Sequence, residues 1–166
     1  MRKFLPWIIV GVVVLFGYFY FKGINNTAVT LDQDVKESWG NVQTSYQRRN
    51  DLIGNLVKTV KGAAHFEKST LEAVITARSK ATAVTIDPTN ITPEQLAQFN
   101  QAQSGVSSAL SRLLVTVEQY PDLKANQNFL KLQDELASTE NQILTARTRF
   151  NEAVKLYNRH VTIFPN

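Results

Sequence analysis

The sequence contains no cysteine, and it has only 5 prolines and 7 glycines among its 166 residues. Without cysteine the chain cannot form a disulfide, a thiolate zinc or iron–sulfur site, a cysteine nucleophile or a lipid-modified cysteine. It also lacks a glycine-rich phosphate loop and a Gly-x-Ser-x-Gly nucleophile elbow. These absences exclude several common classes of enzyme, and the sequence therefore predicts a protein that is not an enzyme, with no catalytic residue and no cofactor.

Histidine is also scarce, and its two occurrences do not fit a metal site. Helical bundles that bind two iron ions use a glutamate three positions before each histidine ligand. Gly62 and Tyr157 occupy those positions before His65 and His160. His65 and Glu67 are two residues apart, so on a helix they point about 200° away from each other. No metal ligand is predicted.

The charge of the chain is unevenly distributed. The chain has 18 basic and 14 acidic residues, but Arg2, Lys3 and Lys22 leave only 15 basic against 14 acidic residues in the other 144. A nucleic-acid-binding module is expected to keep a basic excess interleaved with aromatic residues. The domain after residue 22 is nearly neutral, so no nucleic acid partner is predicted.

Residues 4–21 form a run of 18 residues without a formal charge. As a helix this run is about 27 Å long, close to the roughly 30 Å thickness of a bilayer core. A cleaved signal peptide is the alternative, but the run ends in Tyr-Phe-Tyr-Phe-Lys, which lacks the small residues of a cleavage site. Residues 1–22 are therefore predicted as a transmembrane anchor in contact with the lipid bilayer. Its predicted anchoring side chains are Phe4, Trp7, Tyr18, Tyr20 and Phe21.

Residues 23–166 have the pattern of an all-α domain. Apolar residues recur at steps of three and four, and no stretch alternates for long with the period of a strand. Thr92, Pro93 and Gln95 provide a capping threonine, a first-turn proline and a capping-box glutamine. The predicted helices span residues 24–49, 51–82, 93–120 and 124–162. They predict an elongated up-and-down, antiparallel four-helix bundle after the transmembrane helix.

The reversal between the first two predicted helices is placed near residues 49–51. Asp51 can cap a new helix, and Gly54 weakens a continuing one. Tyr46, Arg49 and Ile53 nevertheless keep the helical spacing across this point. A single helix continuous with the membrane span is therefore the alternative.

Two groups of short motifs resemble the LemA family of bacterial membrane proteins. The first is YQRRNDLIGNLV at residues 46–57 with TVKG at 59–62, and the second is YPDLKAN at 120–126 with TEN at 139–141. The resemblance covers the anchor and essentially the whole domain. It implies a single-pass membrane protein with a four-helix bundle, and it supplies no reaction. A magnetosome membrane protein belongs to the family, which implies a role in membrane organisation.

This resemblance implies the inner membrane of a bacterial cell, and the charges flanking the anchor predict its orientation. Arg2 and Lys3 beside a short amino terminus favour the cytoplasm for that end. The domain is then expected on the outer, periplasmic side. Lys22 and Lys36 on the other flank favour the opposite orientation.

Four charged residues continue the apolar stripes of the predicted helices, namely Glu67, Arg78, Glu140 and Arg147. A buried charge is costly unless it is paired, and arginine can bind a carboxylate through two parallel hydrogen bonds. We therefore predict that Glu67 or Glu140 pairs with Arg78 or Arg147 across the bundle and fixes the helix register. The alternative is a polar site for a small ligand inside the bundle.

Basic residues also concentrate around residues 48–68. The simplest interpretation is a solvated helix face, with Lys68 and Glu72 as an ordinary pair at four-residue spacing. The alternative is a surface for an anionic lipid or an acidic partner. The residues of this candidate surface are Arg48, Arg49, Lys58, Lys61 and Lys68.

Together these patterns predict a non-catalytic, membrane-anchored helical scaffold or interaction protein. Its expected partners are the lipid bilayer, further copies of itself in a homo-oligomer, and other membrane proteins. The alternative is a membrane-anchored sensing module that binds a small ligand in a cavity lined by Glu67, Arg78, Glu140 and Arg147. Such a module would transmit its state through the membrane-proximal helix.

Overall fold

The structure is a computed structural model that describes residues 5–62 and 66–163. The described residues form five helices and no strand, which confirms the all-α class. The helices are α1 (Leu5–Lys61), α2 (Lys68–Ala83), α3 (Pro93–Val117), α4 (Pro121–Lys124) and α5 (Gln127–Thr162).

Helix α1 is one continuous helix of 57 residues. The predicted reversal near residues 49–51 is therefore wrong, as are the predicted helix bounds 24–49 and 51–82, and the alternative of a single helix is the one observed. Asp51 does not cap a new helix, because its Oδ1 accepts a hydrogen bond from Gln47 Nε2 (3.0 Å) inside α1. Gly54 costs about 1 kcal/mol in a helix, which is less than the gain from fully burying Ile53 and Leu56 beside it.

The ends of the later helices differ from the predictions by a few residues. The predicted capping box is present, since Thr92 Oγ1 accepts from the N–H of Gln95 (3.2 Å) and Gln95 Oε1 accepts from the N–H of Thr92 (3.1 Å). Helix α3 ends at Val117 because the chain turns there into the short α4. Helix α5 begins at Gln127 because Asn126 Oδ1 accepts from two first-turn N–H groups (3.0 and 3.1 Å).

The amino-terminal part of α1 is apolar and does not pack against the rest of the described chain. Among the described residues, α1 alone is long and apolar enough to cross a membrane, with a mean hydropathy of 1.9 in its most apolar window. The predicted anchoring residues Trp7, Tyr18, Tyr20 and Phe21 are all exposed. Phe4 lies outside the described residues.

Helix α1 also pairs with α5, which runs antiparallel to it. The rings of Trp39 and Phe150 lie 5.1 Å apart, and His160 Nε2 lies 3.2 Å from the backbone oxygen of Ile24. The contacts therefore extend from the middle of α1 down to the end of its apolar span. The part of α1 just after the apolar span therefore packs against α5.

The core consists of two clusters of buried side chains along this pair. The proximal cluster, on the side of the apolar span, contains Trp39, Val42, Tyr46, Ile86, Phe99, Ile143, Ala146 and Phe150. The distal cluster contains side chains from all five helices, among them Ile53, Leu56, Val60, Val74, Val106, Leu113, Leu123 and Phe129.

Candidate functional site: a polar layer between the two core clusters

A layer of polar side chains separates the proximal cluster from the distal cluster. It contains all four buried polar or charged residues of the described chain. On its own helix, each of the four comes in sequence between the residues of the proximal cluster and those of the distal cluster. We call this group, with its hydrogen-bond partners on other helices, the polar layer. Its residues are Arg49 and Asn50 of α1, Arg78 of α2, Gln103 and Ser107 of α3, and Thr139 and Glu140 of α5.

Arg49 is the centre of the polar layer. Only 2% of its surface is exposed. Its Nη1 donates to Glu140 Oε1 (3.0 Å) and to Ser107 Oγ (3.1 Å). Its Nη2 donates to the backbone oxygen of Gln103 (3.3 Å) and to Gln103 Oε1. One guanidinium group therefore joins α1, α3 and α5.

An aromatic ring covers the Arg49 guanidinium on the side of the proximal cluster. Its Cζ lies 4.9 Å from the centre of the Tyr46 ring, a distance typical of a cation–π contact. The Tyr46 ring in turn packs edge-on against Phe99, with the centres 5.0 Å apart. Any movement of Arg49 would therefore disturb both the polar layer and the proximal cluster.

The counter-ion of Arg49 is much more exposed than Arg49 itself. The side chain of Glu140 is 44% exposed, whereas that of Arg49 is 2% exposed. The carboxylate can thus stay partly hydrated while it neutralises a charge that water does not reach. This asymmetry lowers the desolvation cost that a fully buried ion pair would carry.

Helix α2 joins the polar layer through Arg78. Its Nε donates to the backbone oxygen of Asn50 (2.8 Å). Its guanidinium lies against Gly54, where an added Cβ would be 3.4 Å from Arg78 Cζ. Arg78 therefore crosses from α2 onto α1 at Gly54.

The structure does not bring the four predicted ion-pair residues together. Glu140 contacts Arg49 and not Arg78 or Arg147. Among the described residues Arg78 and Arg147 have no ion pair, and Arg147 is exposed. Glu67 is exposed just before α2, where its carboxylate accepts from the neighbouring Ser69.

The assignment of Arg49 to an exposed basic surface is wrong. Arg48 and Arg49 were grouped because they are adjacent, but neighbours on a helix point about 100° apart. Arg48 is exposed and Arg49 is buried. The signal that identifies Arg49 is its place between Tyr46 and Ile53, three and four residues away on the buried stripe.

The rest of the predicted basic surface is exposed and lies far from the apolar span. Arg48, Lys58, Lys61 and Lys68 are exposed, and Lys68 Nζ lies 3.5 Å from Glu72 Oε1, so this predicted pair is present. At 1.5 Å per residue, Arg48 to Lys61 lie about 40–60 Å along α1 from Lys22. With an ordinary helix tilt of about 20°, these residues cannot touch the bilayer that holds the span. His65 lies outside the described residues.

The hydrogen bonds of Arg49 link helices, and the arrangement can set the register of α1, α3 and α5. No group of three His, Asp or Glu side chains that could hold a metal ion occurs within residues 5–62 and 66–163.

The sequence of this chain matches known proteins. A sequence model of the LemA family matches residues 38–166. The chain belongs to the LemA family. The match begins just before Trp39 and so includes both core clusters and the polar layer.

Similar proteins include two kinds of relative. The chain is 29% identical to Magnetosome protein MamQ 2 of Paramagnetospirillum magneticum, over 84% of this chain and 58% of that protein. It is 25% identical to Protein LemA of Metamycoplasma hominis, over 89% of this chain and 64% of that protein. The LemA-family chain thus spans about three fifths of the length of these relatives. Its apolar helix and its family membership fit a membrane-anchored protein.

Proposed function

We propose that this LemA-family protein is a non-catalytic, membrane-anchored scaffold that self-associates, contacts other membrane proteins and helps to organise the membrane. The observation that carries the proposal is the continuity of α1. One helix contains the apolar span and also contributes Trp39, Arg49 and Ile53 to both core clusters and the polar layer. The domain is therefore a direct extension of the anchor, with no linker between them.

The proposed architecture of the scaffold is an elongated up-and-down four-helix bundle of the later part of α1 with α2, α3 and α5. Three observations support it. The distal cluster draws side chains from all four helices, α1 and α5 are antiparallel, and Arg78 and Arg49 link α1 to α2, α3 and α5. Such a bundle is stiff, because two core clusters and the hydrogen bonds of Arg49 and Arg78 hold its helices at several levels.

A rigid domain of this length suits a protein that holds partners at a fixed distance from a bilayer. From Lys22 to Lys61 α1 extends for about 58 Å at 1.5 Å per residue. The exposed basic residues near its far end are then available to an acidic partner and not to the anchoring bilayer. The name of the MamQ relatives, magnetosome protein, supports a role of this kind in a membrane compartment.

Self-association can be tested on the intact chain. We expect light scattering on the full-length protein in mild detergent to give one defined oligomeric mass over a range of protein concentrations. A monomeric mass throughout that range would contradict the scaffold proposal.

The proposed location is the bacterial inner membrane with the domain in the periplasm. Because the chain has no cysteine, a single cysteine can be introduced at Asp34 or at Phe16. In cells with a permeabilised outer membrane, a maleimide that cannot cross the inner membrane should label Asp34→Cys. The control, Phe16→Cys in the span, should stay unlabelled. Labelling of Asp34→Cys only after lysis would place the domain in the cytoplasm.

The sensing alternative has less support. It requires Glu67, Arg78, Glu140 and Arg147 to surround one ligand, but each of these side chains has a separate partner or is exposed. Glu140 binds Arg49, Arg78 binds a backbone oxygen of α1, and Arg147 is exposed. The carboxylate of Glu67 accepts from a neighbouring side chain outside the polar layer.

A further inference from the structure

The carboxyl-terminal end of α5 reaches the level at which the apolar span ends. His160 Nε2 lies 3.2 Å from the backbone oxygen of Ile24. Since α1 and α5 are antiparallel and both rise 1.5 Å per residue, each step forward in α5 matches one step back in α1. Ile163 is therefore level with about Phe21, and Arg159 with about residue 25.

Apolar side chains of this end are open to the surroundings. Leu156, Val161 and Ile163 are 44%, 44% and 56% exposed. Scattered exposed apolar side chains are common on soluble proteins. Here, however, Val161 and Ile163 are level with about residues 23 and 21 of α1, where the exposed apolar span ends.

The same end of the protein carries positive charge and no acidic residue. Residues 22–31 and 153–163 contain Lys22, Lys155 and Arg159 and neither aspartate nor glutamate. The nearest acidic residues along the two helices are Asp32 and Glu152. The side chains of these two ranges thus have a formal charge of +3 with His160 neutral, although the whole domain is nearly neutral.

The connection between α2 and α3 does not bring acidic residues to this end. Gln43 Nε2 donates to the backbone oxygen of Ile86 (3.1 Å), so the connection lies near the level of residue 43. That level is about 30 Å from Lys22 along α1. Asp87, the one acidic residue between α2 and α3, is therefore too far away to neutralise Lys22 or Arg159.

These basic residues lie at the depth of lipid headgroups. A headgroup layer is roughly 5–8 Å thick on each side of the bilayer core. The Arg159 backbone is about 5 Å, and the Lys155 backbone about 10 Å, beyond the level of Lys22. Long basic side chains can bend toward the interface over several ångströms, so both charges can reach anionic phosphate groups.

We propose that Lys22 and residues 155–163 form a second contact of the protein with the bilayer. In this contact Val161 and Ile163 enter the interface, and Lys22, Lys155 and Arg159 bind anionic lipid headgroups. The contact would clamp α5 and α1 to the membrane together and hold the domain at a fixed angle. The inference rests on the membrane anchorage in the proposed function.

The test uses single cysteines in the cysteine-free, full-length chain, each labelled with an environment-sensitive fluorophore. The three sites are Ile163 in the proposed contact, Phe16 in the span and Val115, a 69% exposed control on α3. Each protein is placed in nanodiscs of zwitterionic lipid, with or without anionic lipid, that carry a nitroxide quencher at the headgroup. We expect quenching at Ile163→Cys to be several-fold stronger than at Val115→Cys and to increase with anionic lipid.

A pair of charge variants tests the role of the basic residues. Lys155→Gln with Arg159→Gln should remove the effect of anionic lipid on the Ile163→Cys label. The matched control, Arg112→Gln with Lys131→Gln, neutralises two exposed basic residues elsewhere in the domain and should leave that effect intact.

The outcomes separate this inference from the proposed function. A membrane-embedded emission spectrum at Phe16→Cys, together with quenching at Ile163→Cys no stronger than at Val115→Cys, would overturn the second contact and leave the anchor standing. Quenching at Ile163→Cys that does not respond to anionic lipid would overturn the headgroup assignment. A water-like spectrum at Phe16→Cys would overturn the membrane anchor and with it the proposed function.

Discussion

Glu140 and Arg49 share one ion pair, yet we expect their replacement to have unequal effects on stability. Glu140→Ala leaves the guanidinium of Arg49 buried at 2% exposure without a counter-ion. Arg49→Met removes the buried charge and replaces it with an unbranched apolar side chain. The carboxylate of Glu140, which is 44% exposed, can then turn to water. Loss of the more exposed partner should therefore cost more.

The magnitudes follow from these exposures. Removing one partner of a buried ion pair costs about 3–5 kcal/mol, and we lower this to about 2–3 kcal/mol for Glu140→Ala because solvent already reaches the carboxylate. Arg49→Met leaves Gln103 and Ser107 without a donor from Arg49, which costs about 1 kcal/mol. The double variant should resemble Arg49→Met, so the coupling energy between the two sites is about 2 kcal/mol.

The measurement is thermal unfolding of the full-length protein in mild detergent, followed by circular dichroism. For a domain of this size we expect a fall in Tm of roughly 6–10 °C for Glu140→Ala and about 3 °C for Arg49→Met. Glu140→Gln is the matched control. Because it keeps an acceptor for Arg49, its fall in Tm should lie between those of Arg49→Met and Glu140→Ala. A greater loss for Arg49→Met than for Glu140→Ala, or simple additivity in the double variant, would refute this reasoning.

Three further predictions concern α1 and the connection between α2 and α3. Gly54→Ala should raise the free energy of unfolding by about 0.5–1 kcal/mol, because alanine favours the helix and the added Cβ would make only an ordinary 3.4 Å contact with Arg78. A loss of stability in a denaturant titration would contradict this prediction. Spin labels at Asp34 and Lys58 should be about 36 Å apart along a continuous helix, and an electron–electron distance below about 20 Å would instead indicate a reversal near residue 50. Hydrogen bonds from the side chain and backbone of Thr89 lower the pKa of Asp87 below its usual 3.8. The stability that this carboxylate contributes is therefore present above about pH 4 and is lost as the pH falls through the lowered pKa. Thr89→Val should raise that pKa in an NMR titration, and an unchanged value would contradict the assignment.

Arg49 and Glu140 show why a sequence pattern locates a buried charge more easily than it identifies the partner of that charge. The spacing of Tyr46, Arg49 and Ile53 already places Arg49 on the buried stripe of α1. The same kind of spacing puts Glu140 on the stripe of α5 that continues the apolar residues, and its carboxylate accepts from Arg49. Which arginine meets Glu140 depends on how α1 and α5 slide past each other, and residues 91 positions apart carry no local signal of that offset.

The predicted reversal near residues 49–51 shows a similar limit of local sequence signals. Asp51 and Gly54 are both ordinary helix-breaking signals, each worth about 1 kcal/mol or less in the middle of a helix. Burial of Ile53, Leu56 and Val60 on the same face outweighs these signals, because each buried side chain contributes about 1.5–3 kcal/mol. The helix therefore continues to Lys61, and the chain turns only after it.

The helical class, the apolar span, the capping box at Thr92 and the family could all be predicted from the sequence, because each depends on residues that are close together in the chain. Three features could be read only from the folded domain: α1 is unbroken, Arg49 pairs with Glu140, and the end of α5 lies level with the end of the span. These features depend on the packing of distant helices. Packing depends on the sum of many contacts across the domain, whereas a cap or an apolar run acts within a few residues.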